Sequence, residues 1–323
     1  MIISEDKYFI FDNPKRINCK YFVKLIIARG VSSYYKILMN VFHPSVKIKK
    51  KYKVAICAIF KNEAPYIKEW IEFHKIVGIE HFYMYNNFSE DNYKEILDPY
   101  VESGDVTLID WPHKQSQMQA YADSIARFSN EVQWIGFIDL DEYIVPNKMD
   151  TVYAFLQKFE KNRPVVMMYW RVFGSSGRIE RDITGLVTED FTVCWSKYDS
   201  IGKCFFNTNY DFNLKDKRNT TFHHFMWGEH SGMSLPPVNI YGNVVIWGQH
   251  KVDNDSFPIQ INHYFTKSYQ EYLAKASKGD VYYEINPHDE EYFYEHEMRC
   301  HSVDYNAYKY LIKLKLAMGK EKH

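Results

Sequence analysis

The sequence predicts an α/β protein whose mostly parallel sheet is covered by helices on both faces. Short apolar runs recur along the chain, and segments in which apolar residues have helical spacing separate them. Strands that alternate with helices of these lengths are typical of parallel sheets, and near-continuous apolar runs are typical of strands buried on both faces. The predicted strands are 54–60, 81–85, 106–110, 134–138 and 164–173.

The helices between these strands are predicted from residue spacing and from terminal residues. The first helix begins near Pro65, because proline suits a first helical turn, and ends at Gly78, because glycine suits the position after a last turn. Its apolar residues recur at helical spacing from Ile67 to Val77. Further helices are predicted at about 93–101, 115–128 and 151–159.

Charge and hydropathy divide the chain into three predicted regions: a basic amphipathic N-terminal extension (1–52), an α/β domain (53–280) and a basic helical C-terminal tail (281–323). From Asn13 to Asn62 the sequence has no Asp or Glu, while Lys and Arg alternate with apolar residues. A basic, apolar-rich segment of this kind can lie on an anionic membrane surface. The alternative is that both terminal segments form amphipathic helices that pack on the domain and leave their lysines in solvent.

Overall composition excludes several classes of protein. The net charge of −1 supplies no field that would attract nucleic acid, so no nucleic-acid partner is expected. Five dispersed cysteines without a C-x-x-C pair argue against a disulfide framework or a thiolate zinc site, and favour a reducing compartment. The sequence has no signal-peptide pattern and no apolar run long enough to span a bilayer. We therefore expect a cytoplasmic protein. The basic terminal segments extend this expectation to contact with the inner face of the cell membrane.

Polar residues follow four of the predicted strands, at Lys61–Glu63, Asn86–Asn87, Asp110 and Asp139–Glu142. Right-handed crossovers bring the carboxyl ends of parallel strands to one edge of the sheet, where ligands bind. Three carboxylates within Asp139–Glu142 repel one another unless a divalent cation binds there. Taken alone, that stretch is also typical of an acidic loop or of the start of a helix. The convergence of four polar strand ends predicts a functional site. The chain has no G-x-G-x-x-G or G-K-[ST] motif, which disfavours dinucleotide and P-loop sites.

Seven short motifs occur in a characteristic order between about residues 53 and 280. They are Ala58-Ile-Phe-Lys-Asn-Glu63, Glu69-Trp-Ile-Glu-Phe-His74 with Gly78, Tyr85-Asn-Asn-Phe-Ser-Glu-Asp91, Phe137-Ile-Asp-Leu-Asp-Glu-Tyr143, Phe173-Gly-Ser-Ser-Gly177, Asn262-His-Tyr-Phe-Thr-Lys-Ser268 and Lys275 to Gly279. Together they resemble glycosyltransferase family 92 and its bacterial relatives, which are related to the inverting enzymes of family 2. The resemblance implies a catalytic GT-A domain at 53–280, a nucleotide-sugar donor, most simply a UDP-sugar, and a divalent cation, Mn²⁺ or Mg²⁺.

The resemblance also implies that the D-x-D acids, Asp139 and Asp141, hold the metal and the donor ribose. A cation at this position is chemically reasonable, because the diphosphate leaving group gains negative charge as the glycosidic bond breaks. We expect Asp141 to bind the metal, Asp139 to contact the ribose or a metal-bound water, and Glu142 to support them. Enzymes of this fold often add a histidine ligand from further along the chain. The sequence does not choose between His223, His224 and His263.

Contacts to the donor nucleotide are expected at the ends of the first strands. The predicted set is Ala58, Phe60, Asn62, Glu63, Asn86, Asn87, Asp91, Asp110 and Asp139. Family 2 commonly has Asp where this chain has Asn86 or Asn87, and this departure leaves the identity of the base open. An amide can still pair with a base edge, because it both donates and accepts hydrogen bonds.

An inverting transfer needs a general base beside the acceptor hydroxyl. Family 2 enzymes often carry it in a T-E-D motif, and Thr188-Glu189-Asp190 stands here after the acceptor-loop motif. We expect Asp190 or Glu189 to act as the base, with Glu180, Asp182 and Glu229 as further candidates. The alternative is that this motif only caps a helix. The chain has no Q-x-x-R-W motif, so we expect addition of a single sugar. Aromatic residues expected on the acceptor side are Trp170, Phe173, Trp195, Trp227 and Trp247.

The resulting hypothesis is a metal-dependent inverting glycosyltransferase. It would move one hexose, with galactose as the candidate, from a UDP-sugar to a glycan or lipid-linked saccharide in polysaccharide or lipopolysaccharide biosynthesis. One alternative is a sugar nucleotidyltransferase of similar fold, but Ala58–Glu63 is a poor match for the basic, glycine-rich loop that such an enzyme needs. Another is a non-catalytic relative that binds sugar or membrane, and retention of three acids and several histidines argues against it.

Overall fold

The computed structural model describes residues 19–45, 49–246, 257–277 and 289–319. The strands are β1 (Tyr52–Phe60), β2 (His81–Asn86), β3 (Val106–Asp110), β4 (Val132–Phe137), β5 (Glu142–Pro146), β6 (Val165–Val172), β7 (Val193–Trp195), β8 (Gly202–Asn207), β9 (Gly228–His230), β10 (Met233–Leu235), β11 (Val238–Asn239), β12 (Ile259–His263) and β13 (Cys300–Val303). The helices are α1 (Cys19–Val41), α2 (Ala64–Ile76), α3 (Tyr93–Glu102), α4 (Gln117–Phe128), α5 (Val152–Leu156), α6 (Val187–Asp190), α7 (Tyr269–Ser277), α8 (Glu290–Glu297) and α9 (Leu311–Ala317).

Within these ranges, nine strands form one sheet in the order β3-β2-β1-β4-β8-β6-β12-β5, with β11 beside β6. Strands β8 and β5 run opposite to the others, as their antiparallel pairings with β4, β6 and β12 require. The predicted α/β architecture with a mostly parallel sheet is confirmed. The two reversed strands were not predicted, because strand direction depends on non-local pairing.

Strands β1 and β4 lie at the centre of the sheet and are buried as predicted. Every residue of β1 from Val54 to Phe60 is buried, and so is all of β4. Gly136 in β4 is explained by its neighbour in β8, since a Cβ at this position would lie 2.4 Å from a ring carbon of Phe205. The glycine therefore allows an aromatic ring to lie across the middle of the sheet.

Two predicted helices are shorter in the structure, for local reasons. The helix predicted from residue 115 begins at Gln117, because Gln115 has a φ of 47° and cannot occupy a right-handed helix. The helix predicted at 151–159 ends at Leu156, and the amides from Lys158 to Glu160 bond three residues back in turns. Its start is as predicted, with the side chain of Thr151 accepting a hydrogen bond from the amide of Ala154 at 3.1 Å.

The C-terminal segment packs on the α/β domain. Leu311 and Leu314 of α9 belong to the main hydrophobic core, and β13 pairs with β7. Helix α1 also contributes buried residues, Ala28 and Met39. No helix in the described part of the chain is long and apolar enough to cross a membrane.

Candidate functional site

A cavity of about 1140 Å³ opens where β1, β4 and β6 end. Its N-terminal wall comes from segments within residues 59–141, and its C-terminal wall comes from segments within residues 170–299. Three of the four polar strand ends predicted to converge contribute residues to this cavity: Lys61 and Glu63, Asn87, and Asp139 and Asp141. The carboxyl ends of the parallel strands thus meet at this cavity, where ligands bind in open α/β sheets.

Asp139 is held by three side chains. The Nζ of Lys203 lies 2.6 Å from its Oδ2, and the hydroxyl of Tyr121 and the Nε2 of Gln117 donate to its Oδ1 at 2.9 and 3.2 Å. Burial acts to raise the pKa of Asp139, but the Lys203 ammonium outweighs it and holds that pKa below its usual value. Asp139 is therefore an ionised group in a fixed orientation at the cavity.

Glu142 contacts Asp139 from the protein interior. It is fully buried, and its Oε2 accepts a hydrogen bond from the amide of Asp139 at 2.9 Å and lies 3.4 Å from the Nζ of Lys203. Burial and the nearby charges of Asp139 and Asp141 raise the pKa of Glu142 well above its usual value. Glu142 is thus a positioning residue for Asp139, as expected from its place behind the two aspartates.

Asp141 faces a histidine and a lysine. Its Oδ2 lies 2.5 Å from the Nζ of Lys275, and its Oδ1 lies 3.8 Å from the Nε2 of His263. Burial opposes ionisation of Asp141, but Lys275 prevails and holds its pKa far below the usual value. Burial lowers the pKa of His263 to about 3, so its imidazole is neutral at physiological pH.

These residues fit a divalent cation that a diphosphate helps to hold. An ionised carboxylate and a neutral imidazole are in the protonation states that metal binding requires, and Asp141 and His263 are close enough to share one ion. The described residues contain no group of three or more His, Cys, Asp or Glu that could hold a metal alone. Mg²⁺ is commonly bound through one or two carboxylates together with substrate phosphates, so two protein ligands are sufficient for such a site.

The other two candidate histidines lie on the same wall but are differently engaged. The Nδ1 of His224 lies 2.7 Å from the carbonyl oxygen of Gly202, and the His223 and His224 rings are 3.8 Å apart. The ring of Trp170 contacts both His224 and His263, with centroids 5.0 and 4.4 Å away. Of the three histidines, His263 is the one found beside a D-x-D carboxylate.

The predicted donor residues divide into two groups. Phe60, Glu63, Asn87 and Asp139 line the cavity. The others are not among its described lining residues. Ala58 is fully buried in β1, while the remaining side chains brace the surrounding loops.

These braces join the ends of neighbouring strands. The Nδ2 of Asn86 donates to the Oδ1 of Asp110 at 3.1 Å, which ties β2 to β3. The Oδ2 of Asp91 accepts from the amide of Ala64 at 2.8 Å, and the Oδ1 of Asn62 accepts from the amide of Glu90 at 2.7 Å. These side chains hold the loops around the cavity in place. Their direct contact with the donor remains a prediction.

The predicted base residues are ion-paired and are not among the described lining residues of the cavity. Asp190 lies 3.0 Å from Arg178 and 3.5 Å from Arg181, and Glu189 lies 2.7 Å from Lys315. These ion pairs favour a structural role for the Thr188-Glu189-Asp190 motif. The group that caps the helix, however, comes from another segment of the chain.

The N-terminus of α6 is capped by the buried carboxylate of Glu69. It accepts hydrogen bonds from the amides of Val187 and Thr188 at 2.7 and 3.0 Å, and from the Thr188 hydroxyl at 2.9 Å. These hydrogen bonds therefore connect the Thr188-Glu189-Asp190 segment to α2, which carries Glu69. A catalytic role for Asp190 or Glu189 stays a prediction.

Two of the predicted acceptor-side aromatic residues line the cavity, Trp170 and Trp195. Phe173 and Trp227 are buried and are not among the described lining residues, and Trp247 lies outside the described residues.

Sequence reasoning assigned no role to Lys203, which neutralises Asp139. A signal was present, because Lys203 interrupts the apolar run of β8, and a buried ammonium is costly unless it is paired. Asp199 and Tyr121 were also missed. They stand in no motif, and only their positions at the cavity and beside Asp139 distinguish them.

Comparisons with known proteins agree with the resemblance. The model of glycosyltransferase family 92 matches residues 50–291. A glycosyltransferase family 92 protein of Oryza sativa subsp. japonica is 28% identical over 143 residues, which cover 43% of this chain and 24% of the relative. A beta-1,4-galactosyltransferase of Caenorhabditis elegans is 33% identical over 109 residues, which cover 29% of this chain and 26% of the relative. The chain thus spans about a quarter of the length of these curated relatives.

Among solved structures, residues 1–349 of S. aureus TarS in complex with UDP-GlcNAc align with 58% of this chain and 58% of that chain, at 13% identity and a TM-score of 0.36. The family assignment rests on the sequence model, which matches well over half of the chain in one continuous stretch. The protein belongs to glycosyltransferase family 92.

Proposed function

We propose that this protein is a metal-dependent glycosyltransferase that moves one hexose, with inversion, from a UDP-sugar to a saccharide acceptor. The observation that carries this proposal is the pairing of ionised Asp141 with neutral His263, 3.8 Å apart, on the wall of the cavity at the strand ends. Family membership and the galactosyltransferase name of one relative make galactose the first donor sugar to test.

In this proposal, each donor-side residue has a stated task. Asp141 and His263 hold Mn²⁺ or Mg²⁺ together with the diphosphate, and Asp139 binds the ribose in the orientation fixed by Lys203 and Tyr121. The cation neutralises the charge that develops on the departing diphosphate. Phe60, Glu63 and Asn87, on the N-terminal wall of the cavity, contact the nucleotide.

The proposal predicts that Asp141→Asn abolishes release of UDP from UDP-galactose in the presence of Mn²⁺. The substitution removes the charge that binds the cation but keeps the shape of the side chain. The measurement is UDP release with and without a chelator, together with the melting temperature. Unchanged turnover in Asp141→Asn would contradict the metal assignment. Release of pyrophosphate from a nucleoside triphosphate by the wild-type protein would instead identify a sugar nucleotidyltransferase.

The same proposal extends to an anionic membrane surface. Phe22, Ile26, Ile37 and Val41 of α1 are each about half exposed or more, in a segment from Asn13 to Asn62 that lacks acidic residues. A basic helix with an apolar face can bind anionic lipid. The five cysteines, all described, are free thiols, which supports a reducing compartment. Together these features support a role at the inner face of the cell membrane, in polysaccharide or lipopolysaccharide synthesis.

A further inference from the structure

Asp199 lies on the C-terminal wall of the cavity, in the loop between β7 and β8. The loop is fastened to the end of β6 by two backbone hydrogen bonds. The amide of Asp199 donates to the carbonyl of Trp170 at 2.9 Å, and the amide of Trp170 donates to the carbonyl of Ile201 at 3.1 Å. The Oδ1 of Asp199 also accepts from the amide of Ile201 at 3.1 Å. These bonds hold the carboxylate in place at the cavity.

Four carboxylates line the described part of the cavity: Glu63, Asp139, Asp141 and Asp199. Asp139 and Asp141 are engaged by lysines on the donor side, and Glu63 lies at the end of β1 on that same N-terminal wall. Asp199 is the carboxylate of the C-terminal wall. No Lys or Arg of the described chain lies within 4.0 Å of Asp199 in an ion pair, in contrast to Asp190 and Glu189.

Trp170 links Asp199 to the candidate metal site. The Trp170 ring lies 4.4 Å from the ring of His263, whose Nε2 is 3.8 Å from Asp141, while its backbone is bonded to Asp199. Trp170 therefore connects the loop that carries Asp199 to the candidate metal site. Trp195 lines the cavity as well, and the Arg299 guanidinium lies 4.9 Å from its ring centroid. Asp199, Trp170 and Trp195 thus line the C-terminal wall of the same cavity, where aromatic faces can stack on a sugar ring.

We propose that Asp199 is the general base that accepts the proton of the attacking acceptor hydroxyl, at the end of the cavity walled by Trp170 and Trp195. This assignment rests on the proposed function. As the acceptor oxygen forms its bond to the anomeric carbon, its proton passes to a carboxylate oxygen of Asp199. The bond between that carbon and the diphosphate oxygen breaks, and its electron pair leaves with UDP.

The environment of Asp199 suits this task. Burial raises the pKa of Asp199, even though it accepts hydrogen bonds from the amides of Ser200 and Ile201. A carboxylate with a raised pKa is a stronger base than an ordinary one.

The test compares Asp199→Asn with Asp190→Asn in UDP release from UDP-galactose with Mn²⁺, with water as the acceptor. Loss of a general base lowers kcat by about 100-fold or more. We expect that loss in Asp199→Asn, with the affinity for UDP and the melting temperature unchanged. Asp98→Asn, the same chemical change in α3 and away from the cavity lining, is the matched control and retains wild-type turnover.

A second variant separates catalysis from positioning. Azide attacks without losing a proton, so azide should restore UDP release in Asp199→Ala and yield a glycosyl azide, with no such gain in the wild type. Wild-type kcat in Asp199→Asn, loss of UDP affinity together with activity, failure of azide to restore release, or a kcat loss confined to Asp190→Asn would each overturn the assignment. If the wild-type protein releases no UDP from any nucleotide sugar, the proposed function itself fails.

Discussion

At the scale of single residues, the site depends on buried charges that neutralise one another. Lys203 is fully buried and lies 2.6 Å from Asp139 and 3.4 Å from Glu142. Removing one partner of a buried ion pair lowers the stability of the folded protein, because the other charge stays buried without compensation. The lysine therefore fixes the ionisation and orientation of Asp139 before any donor binds. For Asp141 the corresponding charge is that of Lys275, 2.5 Å away, while the neutral imidazole of His263 lies 3.8 Å from its other oxygen.

Substitutions of single histidines should show which of the candidates binds the metal. His263→Ala should weaken Mn²⁺ binding measured in the presence of UDP, whereas His224→Ala should weaken it much less. Removing even an outer contact of a metal ligand typically costs about 10- to 100-fold in affinity, so loss of the ligand itself should cost at least about tenfold. Calorimetric titration of Mn²⁺ measures the effect without reference to turnover. Wild-type Mn²⁺ affinity in His263→Ala, with the loss appearing in His224→Ala, would reassign the ligand.

At the scale of elements, α1 presents two opposite faces. Ala28, Ser32 and Met39 are buried on one side. At 100° per residue, Phe22, Ile26, Ile37 and Val41 fall on the other side, and they are 48–65% exposed together with their apolar neighbours. A helix that packs through one face and exposes apolar side chains on the other is typical of a surface for binding a partner or a membrane.

The element-scale prediction is that Ile26→Ser with Ile37→Ser reduces binding to vesicles that contain anionic lipid. Both side chains are more than half exposed, at 56% and 65%, so the fold should tolerate the change. Loss of two apolar contacts should weaken binding by about tenfold or more, since about 1.4 kcal/mol corresponds to a factor of ten. Ile179→Ser, at a site that is 68% exposed outside α1, is the control. Equal co-sedimentation of all three proteins would remove the membrane proposal.

At the scale of the whole molecule, the sheet brings distant parts of the chain to one cavity. The N-terminal wall lies at the ends of the parallel strands β1, β2 and β4, whereas Trp170 and His263 of the C-terminal wall come from β6 and β12. A ligand that contacts both walls therefore bridges the two halves of the sheet. Its binding should stabilise the folded state as a whole.

The whole-molecule prediction concerns stabilisation by nucleotides. UDP with Mn²⁺ should raise the melting temperature, because a ligand at 100 times its Kd adds about 2.7 kcal/mol to the free energy of unfolding. That corresponds to a shift of roughly 4 °C for a chain of this size. The measurement is a thermal shift with UDP, GDP and dTDP and then with their sugar conjugates. A shift by GDP or dTDP that exceeds the shift by UDP would contradict the UDP-sugar assignment.

Much of the fold and part of the site were predictable from local patterns. The strand runs at 54–60 and 106–110 match β1 and β3 closely, and Gly78 follows the end of α2 with a φ of 92°. Local periodicity determines these elements, so the sequence is sufficient for them. Asp190 and Glu189 show the opposite case. Their motif suggested a base, but their side chains are ion-paired with Arg178, Arg181 and Lys315, and no local sequence pattern shows such contacts.

Local sequence patterns are sufficient for the alternation of apolar strands with helices and for the meeting of polar residues at the ends of β1, β2 and β4. Right-handed crossovers between parallel strands bring those ends to one edge of the sheet. The residues that face Asp139 and Asp141 depend instead on tertiary contacts. Strand β8 enters between β4 and β6 and places Lys203, and β12 pairs with both β5 and β6 and places His263. Strand order in a sheet is set by packing between distant segments, and for that reason no local pattern could choose among the three histidines.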